Sequence, residues 1–229
     1  MIRNFISTEF AKLRQMSFAE KRQYLWEYYR LHLLFTAVVV FMVGSLINVW
    51  LINPPKRDYL YIAWQANPVH IETLNEMAEK LNVIVYNPNR YHVSVRSYVL
   101  GHDPQVNQAI ITRFHALLTV GDIHAMLTTY QGVQEAAGIQ MIRSTEGVLD
   151  ILRESNPPLY EIISERLLTV TYITLDDEIE ITDTMAICMS GAPMLESLGI
   201  DTSDLFMGVV APRHFNEIAS ALAVMFEVY

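Results

Sequence analysis

"DYLYIAWQANPVHIETLNEMAEKL", Asp58 to Leu81, decides the fold. Its first part, "DYLYIAWQA", is rich in aromatic and β-branched residues and reads as a strand. Asn67-Pro68 follows, a pair that supplies a helix cap and a first helical residue. Ile71, Leu74, Met77, Ala78 and Leu81 then recur at helical spacing. The stretch is therefore a strand followed by a helix.

The same alternation continues downstream. "HVSVRSYVL", His92 to Leu100, alternates like a second strand, and Asp103-Pro104 opens a second helix. Val106, Ala109, Ile110, Phe114 and Leu117 form its apolar face, and Gly121 ends it. "IHAMLTTY" is a third strand, and "QGVQEAAGI" a short helix after it. Three strand-helix pairs in a row, with a hairpin after them, predict an α/β layer with a mixed, largely parallel sheet and flanking helices. Beyond them, "STEGVLDILRES" is helical and Asn156-Pro157 opens another helix. "LLTVTYITL" and "EIEIT" read as strands joined at a hairpin at Asp176-Asp177. "DTMAICMS" and "LFMGVVA" suit buried strands, with "APMLESLG" between them as a short helix ended by Gly199. A last helix spans His214 to Phe226 and turns Phe215, Ile218, Leu222 and Met225 to one side.

Upstream of this layer, Leu31 to Ile52 is a run of 22 residues without Asp, Glu, Lys or Arg. As a helix it spans roughly 33 Å, enough to cross a hydrocarbon core. Trp26, Tyr28 and Tyr29 lie at one end and Trp50 at the other, where interfacial aromatics are expected. The 30 residues before the run are long for a signal n-region, and no small-x-small site follows it. Residues 31–53 are accordingly expected to be a transmembrane anchor, 54–57 a linker and 58–229 an extracytoplasmic domain. Five basic residues (Lys12, Arg14, Lys21, Arg22, Arg30) lie in positions 11–30 and two (Lys56, Arg57) in 54–73. That bias places residues 1–30 in the cytoplasm and the domain outside the cell membrane. Phe10 to Tyr29 reads either as an amphipathic helix on the inner surface or as a helical extension of the anchor.

Charge divides the chain at the same point. Eight of the 16 Lys and Arg, but three of the 25 Asp and Glu, lie in residues 1–57, so residues 58–229 carry 8 basic against 22 acidic groups, a net of −14. Such a domain is poorly suited to nucleic acid or an anionic membrane surface. The one cysteine, Cys188 in "MAICM", allows no internal disulfide and reads as a small buried hydrophobe.

"LLTVGDIHAMLTTYQGVQEAAGI", Leu117 to Ile139, resembles the core of type 2 extracellular solute-binding proteins, the ligand receptors of ABC importers. "MAICMSGAPMLESLGIDTSDLFMGVVAPRHFNEIASALAVMFE" and "EKRQYLWEYYRLHLLF" are similar to the returning segment and the membrane-entry sequence of small membrane-anchored relatives in Gram-positive bacteria. The resemblance implies a type 2 periplasmic-binding-protein-like fold. Full receptors have two large lobes, and this chain has room for one lobe plus a reduced second.

No zinc-protease, nucleophile-elbow, P-loop or dinucleotide-binding motif is present. Neither catalysis nor a cofactor is expected. The seven His residues are scattered, which favours surface and capping roles over metal ligation. In "DDEIEITD" the carboxylates of Asp176, Asp177, Glu178, Glu180 and Asp183 would suit a hard cation. Ile179 and Ile181 alternate with them, however, which favours a half-buried strand with a solvated face and no metal site.

In an α/β layer, ligands sit outside the carboxyl ends of the parallel strands. Trp64 and Gln65 end the first strand, Thr128, Thr129, Tyr130 and Gln131 the third, and Ser190 the strand "DTMAICMS". Trp64, Thr129, Tyr130 and Ser190 are therefore the candidate ligand-binding residues, offering an aromatic wall and neutral hydrogen-bonding groups to a small polar solute. Two functions follow: an anchored extracytoplasmic binding module, or a non-catalytic interaction subunit that docks a membrane-protein partner without a small ligand. A cleft with convergent polar groups favours the first, and a filled cleft with an exposed apolar patch the second.

Overall fold

The computed structural model describes residues 14, 16–52, 54–173 and 180–228. The chain divides into two units, Met1–Pro55 and Lys56–Tyr229.

Unit one is built on helix α1, Phe18–Ile47, which continues into a π-helical turn at Asn48–Ile52. Ser17 caps its start. The Glu20 N–H donates to Ser17 Oγ (3.4 Å), and the Ser17 N–H donates to Glu20 Oε2 (2.8 Å). Phe18 to Tyr29 thus belongs to the same continuous helix as the apolar run. Arg30–Trp50 is long and apolar enough to cross a membrane, and its apolar window is not buried by protein. The Thr36 hydroxyl donates to the His32 carbonyl (2.8 Å), so this polar group is satisfied within the helix.

In the second unit, six strands form one sheet in the order β2-β1-β3-β6-β5-β4. They are β1 Arg57–Trp64, β2 Tyr91–Ser97, β3 Ala125–Thr128, β4 Leu167–Ile173, β5 Glu180–Cys188 and β6 Phe206–Val209. β1 pairs parallel with β2 and with β3. The other three pairings, β3–β6, β6–β5 and β5–β4, are antiparallel. The sheet is therefore mixed, as expected, but only two of its five pairings are parallel, so it is not largely parallel. The parallel half comes from the strand-helix units, whose crossovers return each strand in the same direction. The other half comes from a hairpin and a returning strand. β4 and β5 pair from Ile173↔Glu180 inward, and the connecting turn at Asp176-Asp177, with the carboxylates of Asp176, Asp177 and Glu178, lies outside the described residues. "EIEIT" and "DTMAICMS" contribute to a single strand, β5, rather than two. Among the described residues no separate second lobe is formed. The chain between Ile139 and β6 adds strands to the first sheet and helices to one of its faces.

Two helical layers cover this sheet. On one face lie α2 (Ile71–Leu81), α5 (Glu146–Ser155), α6 (Pro157–Ser164) and α8 (Phe215–Met225), whose Leu74, Met77, Val148, Leu159, Ile218 and Leu222 are fully buried with Leu60, Ile62 and Trp64. Each such side chain contributes about 1.5–3 kcal/mol by leaving water. On the other face, α3 (Pro104–Val120) and α4 (Tyr130–Gly138) bury Phe114, Val133 and Ala136 against Tyr61, Ala63 and Met126. A short helix, α7, occupies Pro193–Ser197.

Two of the three predicted Asn/Asp-Pro helix starts form as expected. Asp103 accepts from the Gln105 N–H (2.9 Å) to cap α3, and Asn156 accepts from the Leu159 N–H (3.2 Å) to cap α6. Asn67-Pro68 does not. α2 begins at Ile71 after His70, and the Trp64 indole N–H donates instead to the Asn67 carbonyl (2.8 Å), which holds this pair in the connecting loop. Gly121, at φ 73°, ends α3 in the left-handed conformation.

Candidate functional site

A cavity of about 500 Å³ opens where the parallel strands end, between α3 and α4. Three local structures shape it. Gly101 and Asn107 pin the loop from β2 to α3. The Gly101 N–H donates to Asn107 Oδ1 (2.8 Å), and Asn107 Nδ2 donates to the Gly101 carbonyl (2.9 Å). At the end of β3, Thr129 caps α4 by accepting from the Gly132 N–H (3.3 Å). Gly132 itself is required, because a Cβ there would lie 2.0 Å from Thr128 Oγ1. Finally, the Tyr130 N–H, another free donor of the first helical turn, donates to Asp204 Oδ1 (3.1 Å).

Aromatic side chains back the cavity. Tyr98 and Phe114 line it, each 5% exposed, with ring centroids 4.9 Å apart. The Tyr98 and Tyr61 hydroxyls are 2.6 Å apart. Burial, then the bond to Tyr98, pushes the Tyr61 phenol well above its ordinary value, so Tyr61 stays protonated at neutral pH. Gln65, Thr129 and Gln131 supply neutral polar groups, and Glu135 supplies the lining's one carboxylate. Glu135 Oε1 accepts from Gln131 Nε2 (2.8 Å). The lining holds no lysine or arginine. Leu100, Ile111 and Ile139 also line the cavity and remain exposed, forming an apolar rim.

Of the four residues singled out from the sequence, Thr129 lines the cavity. Trp64 does not. Successive residues of a strand point to opposite faces, and Trp64 shares the parity of Leu60 and Ile62. It is 1% exposed in the core of the opposite layer. Tyr130 starts α4 but lies outside the lining, 45% exposed, with its hydroxyl accepting from Gln134 Nε2 (3.1 Å) and its ring edge-on to Phe206. Ser190 follows β5, two strands from β3, where its carbonyl accepts from the Arg166 guanidinium. The strand ends do share one edge of the sheet, since Thr128, Phe206 and Cys188 are in register. That edge is wider than the cavity.

Sequence reasoning missed the walls supplied by the β2–α3 loop and by α3. Ile110 and Phe114 had been placed on an apolar helix face, but only the folded structure separates the part of that face that packs from the part that borders open space. A second polar group was also missed. The Ser94 hydroxyl donates to Asp58 Oδ1, and His92 Nε2 lies 3.0 Å from Ser94 Oγ and 3.3 Å from Asp58 Oδ1. This group sits at the strand starts, at the opposite end of the sheet. Both partners face the same imidazole nitrogen, while Nδ1 is buried without a hydrogen-bond partner. A proton relay needs the carboxylate on one nitrogen and the hydroxyl on the other. Among the described residues no cluster of three or more His, Cys, Asp or Glu could hold a metal ion.

No family model, curated protein or solved structure matches this chain.

Proposed function

We propose that the protein is a single-pass, membrane-anchored extracytoplasmic binding module, a reduced relative of ABC-importer solute-binding proteins that retains a ligand site in one lobe. The carrying observation is the cavity of about 500 Å³ at the ends of β1, β2 and β3, a volume suited to a small molecule. Gln65, Thr129 and Gln131 line it, one just after β1 and the other two at the start of α4. The apolar helix Arg30–Trp50 supports anchoring, and the basic bias before it supports a cytoplasmic N-terminus. Binding without catalysis fits a site whose polar groups are mostly neutral amides and hydroxyls.

The exposed rim of Leu100, Ile111 and Ile139 favours a second reading, an interaction subunit whose cleft receives a partner's segment. A thermal-shift screen of small solutes on the full chain in nanodiscs separates the two. The binding-module reading expects a solute that raises the domain's melting temperature in the wild type but not in Ile139→Trp, where an indole fills the mouth. A screen with no such solute favours the interaction subunit.

A further inference from the structure

We infer that the cavity's ligand is a small amphiphilic amine, held with its apolar part between α3 and α4 and its ammonium group at Glu135; this rests on the binding-module reading. Two features of the lining select this class. Much of the lining is apolar and aromatic, and Ile110, Phe114 and Met141 offer no partner to a polar group. Its formal charge at neutral pH is a single carboxylate, Glu135 on α4, with no lysine or arginine to balance it and His115 as the lining's one basic side chain. An anion entering this space would lose water and meet a like charge. A neutral solute would gain the apolar contact and hydrogen bonds to the neutral polar groups of the lining, but no ion pair. A cation carrying an apolar group gains the ion pair as well.

The geometry orders the two ends. Glu135 is exposed, as is the rim residue Ile139 one helical turn later, while Phe114 is 5% exposed. The charged end of the ligand therefore stays at the mouth, partly in water, and the apolar end fills the interior. Gln131 and Glu135 both line the cavity, and Gln131 Nε2 donates to Glu135 Oε1, which leaves Oε2 to accept from an ammonium. The faces of Tyr98 and Phe114 suit an aromatic ring. The net acidity of residues 58–229 adds a long-range attraction for cations.

The test is isothermal titration of the full chain in nanodiscs with phenethylamine and with 3-phenylpropionate, matched in their apolar part and opposite in charge. Empty nanodiscs correct for partitioning. The amine should bind more tightly by roughly fivefold, the worth of one partly hydrated ion pair. Glu135→Gln, a surface change, should erase that preference while leaving the residual apolar affinity. Ile139→Trp should remove binding of both. Equal affinity for the two compounds, or a preference untouched by Glu135→Gln, would overturn the assignment of an amine and leave the cavity as a binding site. Absence of binding by either compound, with no other solute binding in the thermal screen, would overturn both readings together.

Discussion

Lowering the pH from 7.5 to 5 should weaken the domain through one imidazole. His124, just before β3, is 5% exposed. Its Nδ1 accepts from the Tyr61 N–H (3.1 Å), and its ring stacks on His214 with centroids 3.6 Å apart. Its carbonyl accepts from the Val210 N–H (2.9 Å) and the Ala211 N–H (3.1 Å), so the ring is held by a fixed backbone. An imidazole that accepts at Nδ1 carries its proton on Nε2. A second proton must go to Nδ1, where the Tyr61 N–H already points. Burial above all, then the neighbouring His214 and Arg213, pushes its pKa down to about 3. The unfolded value is about 6.5. Between these values the unfolded chain holds a proton that the folded chain refuses, so this contribution is intact above pH 6.5 and is lost as pH falls toward 3. The slope approaches 1.4 kcal/mol per pH unit, which gives a loss of about 2 kcal/mol at pH 5. Urea unfolding of the full chain in detergent measures it, followed by the fluorescence of Trp64 with Trp26→Phe and Trp50→Phe in wild type and variant alike. His124→Asn keeps an acceptor for the Tyr61 N–H without a titrating group, titrating residues away from it cancel between the two proteins, and the same comparison in a His214→Asn background removes the stacked neighbour. The variant's pH-dependent loss should be smaller by about 2 kcal/mol. An identical loss in both would refute the assignment to His124.

Other substitutions probe the layers and the cap. Trp64→Ala should cost about 3–5 kcal/mol because it empties a core site, whereas the half-exposed Tyr130→Ala should cost under about 1 kcal/mol; equal losses in chemical denaturation would contradict the assignment of the two side chains. Gly132→Ala should cost roughly 1–3 kcal/mol by driving a methyl group into Thr128, and adding Thr128→Ala should recover part of it. A double mutant no more stable than Gly132→Ala would show that the contact with Thr128 is not the cause. Protease added to intact cells should digest residues beyond the anchor, and complete protection until lysis would reverse the proposed orientation.

Much of the fold was legible because it rests on local periodicity. The helices at 71–81, 104–120, 146–155 and 215–225 have apolar spacings that survive any tertiary arrangement. Asp103 and Asn156 cap as their Pro neighbours suggest, while Asn67 is held in the connecting loop by a local hydrogen bond from the Trp64 indole three residues earlier, a side-chain-to-backbone bond that the Asn-Pro pair does not announce. Strand direction was less legible. Alternating strands and helices imply parallel pairing only while the alternation lasts, and nothing local says that β6 will return beside β3 in the opposite sense. For the site, the strand-end rule points to the edge where the cavity opens and to Thr129, which lines it. Parity along β1 would have removed Trp64, since Tyr61 and Trp64 must face opposite layers. The walls from Tyr98, Ile110 and Phe114 needed the packing of α3, which no spacing in the sequence encodes.

The binding-module account stands most directly on occupancy of the cavity by a small molecule. The decisive measurement is methyl NMR on the full chain in nanodiscs, labelled at Ile and Met methyl groups, titrated with the best solute from the thermal screen. The account predicts saturable shifts at Ile110, Ile111, Ile139 and Met141 while Ile173 and Ile187, away from the lining, stay unmoved. Shifts confined to methyl groups outside the cavity, or none at saturating solute, would contradict it.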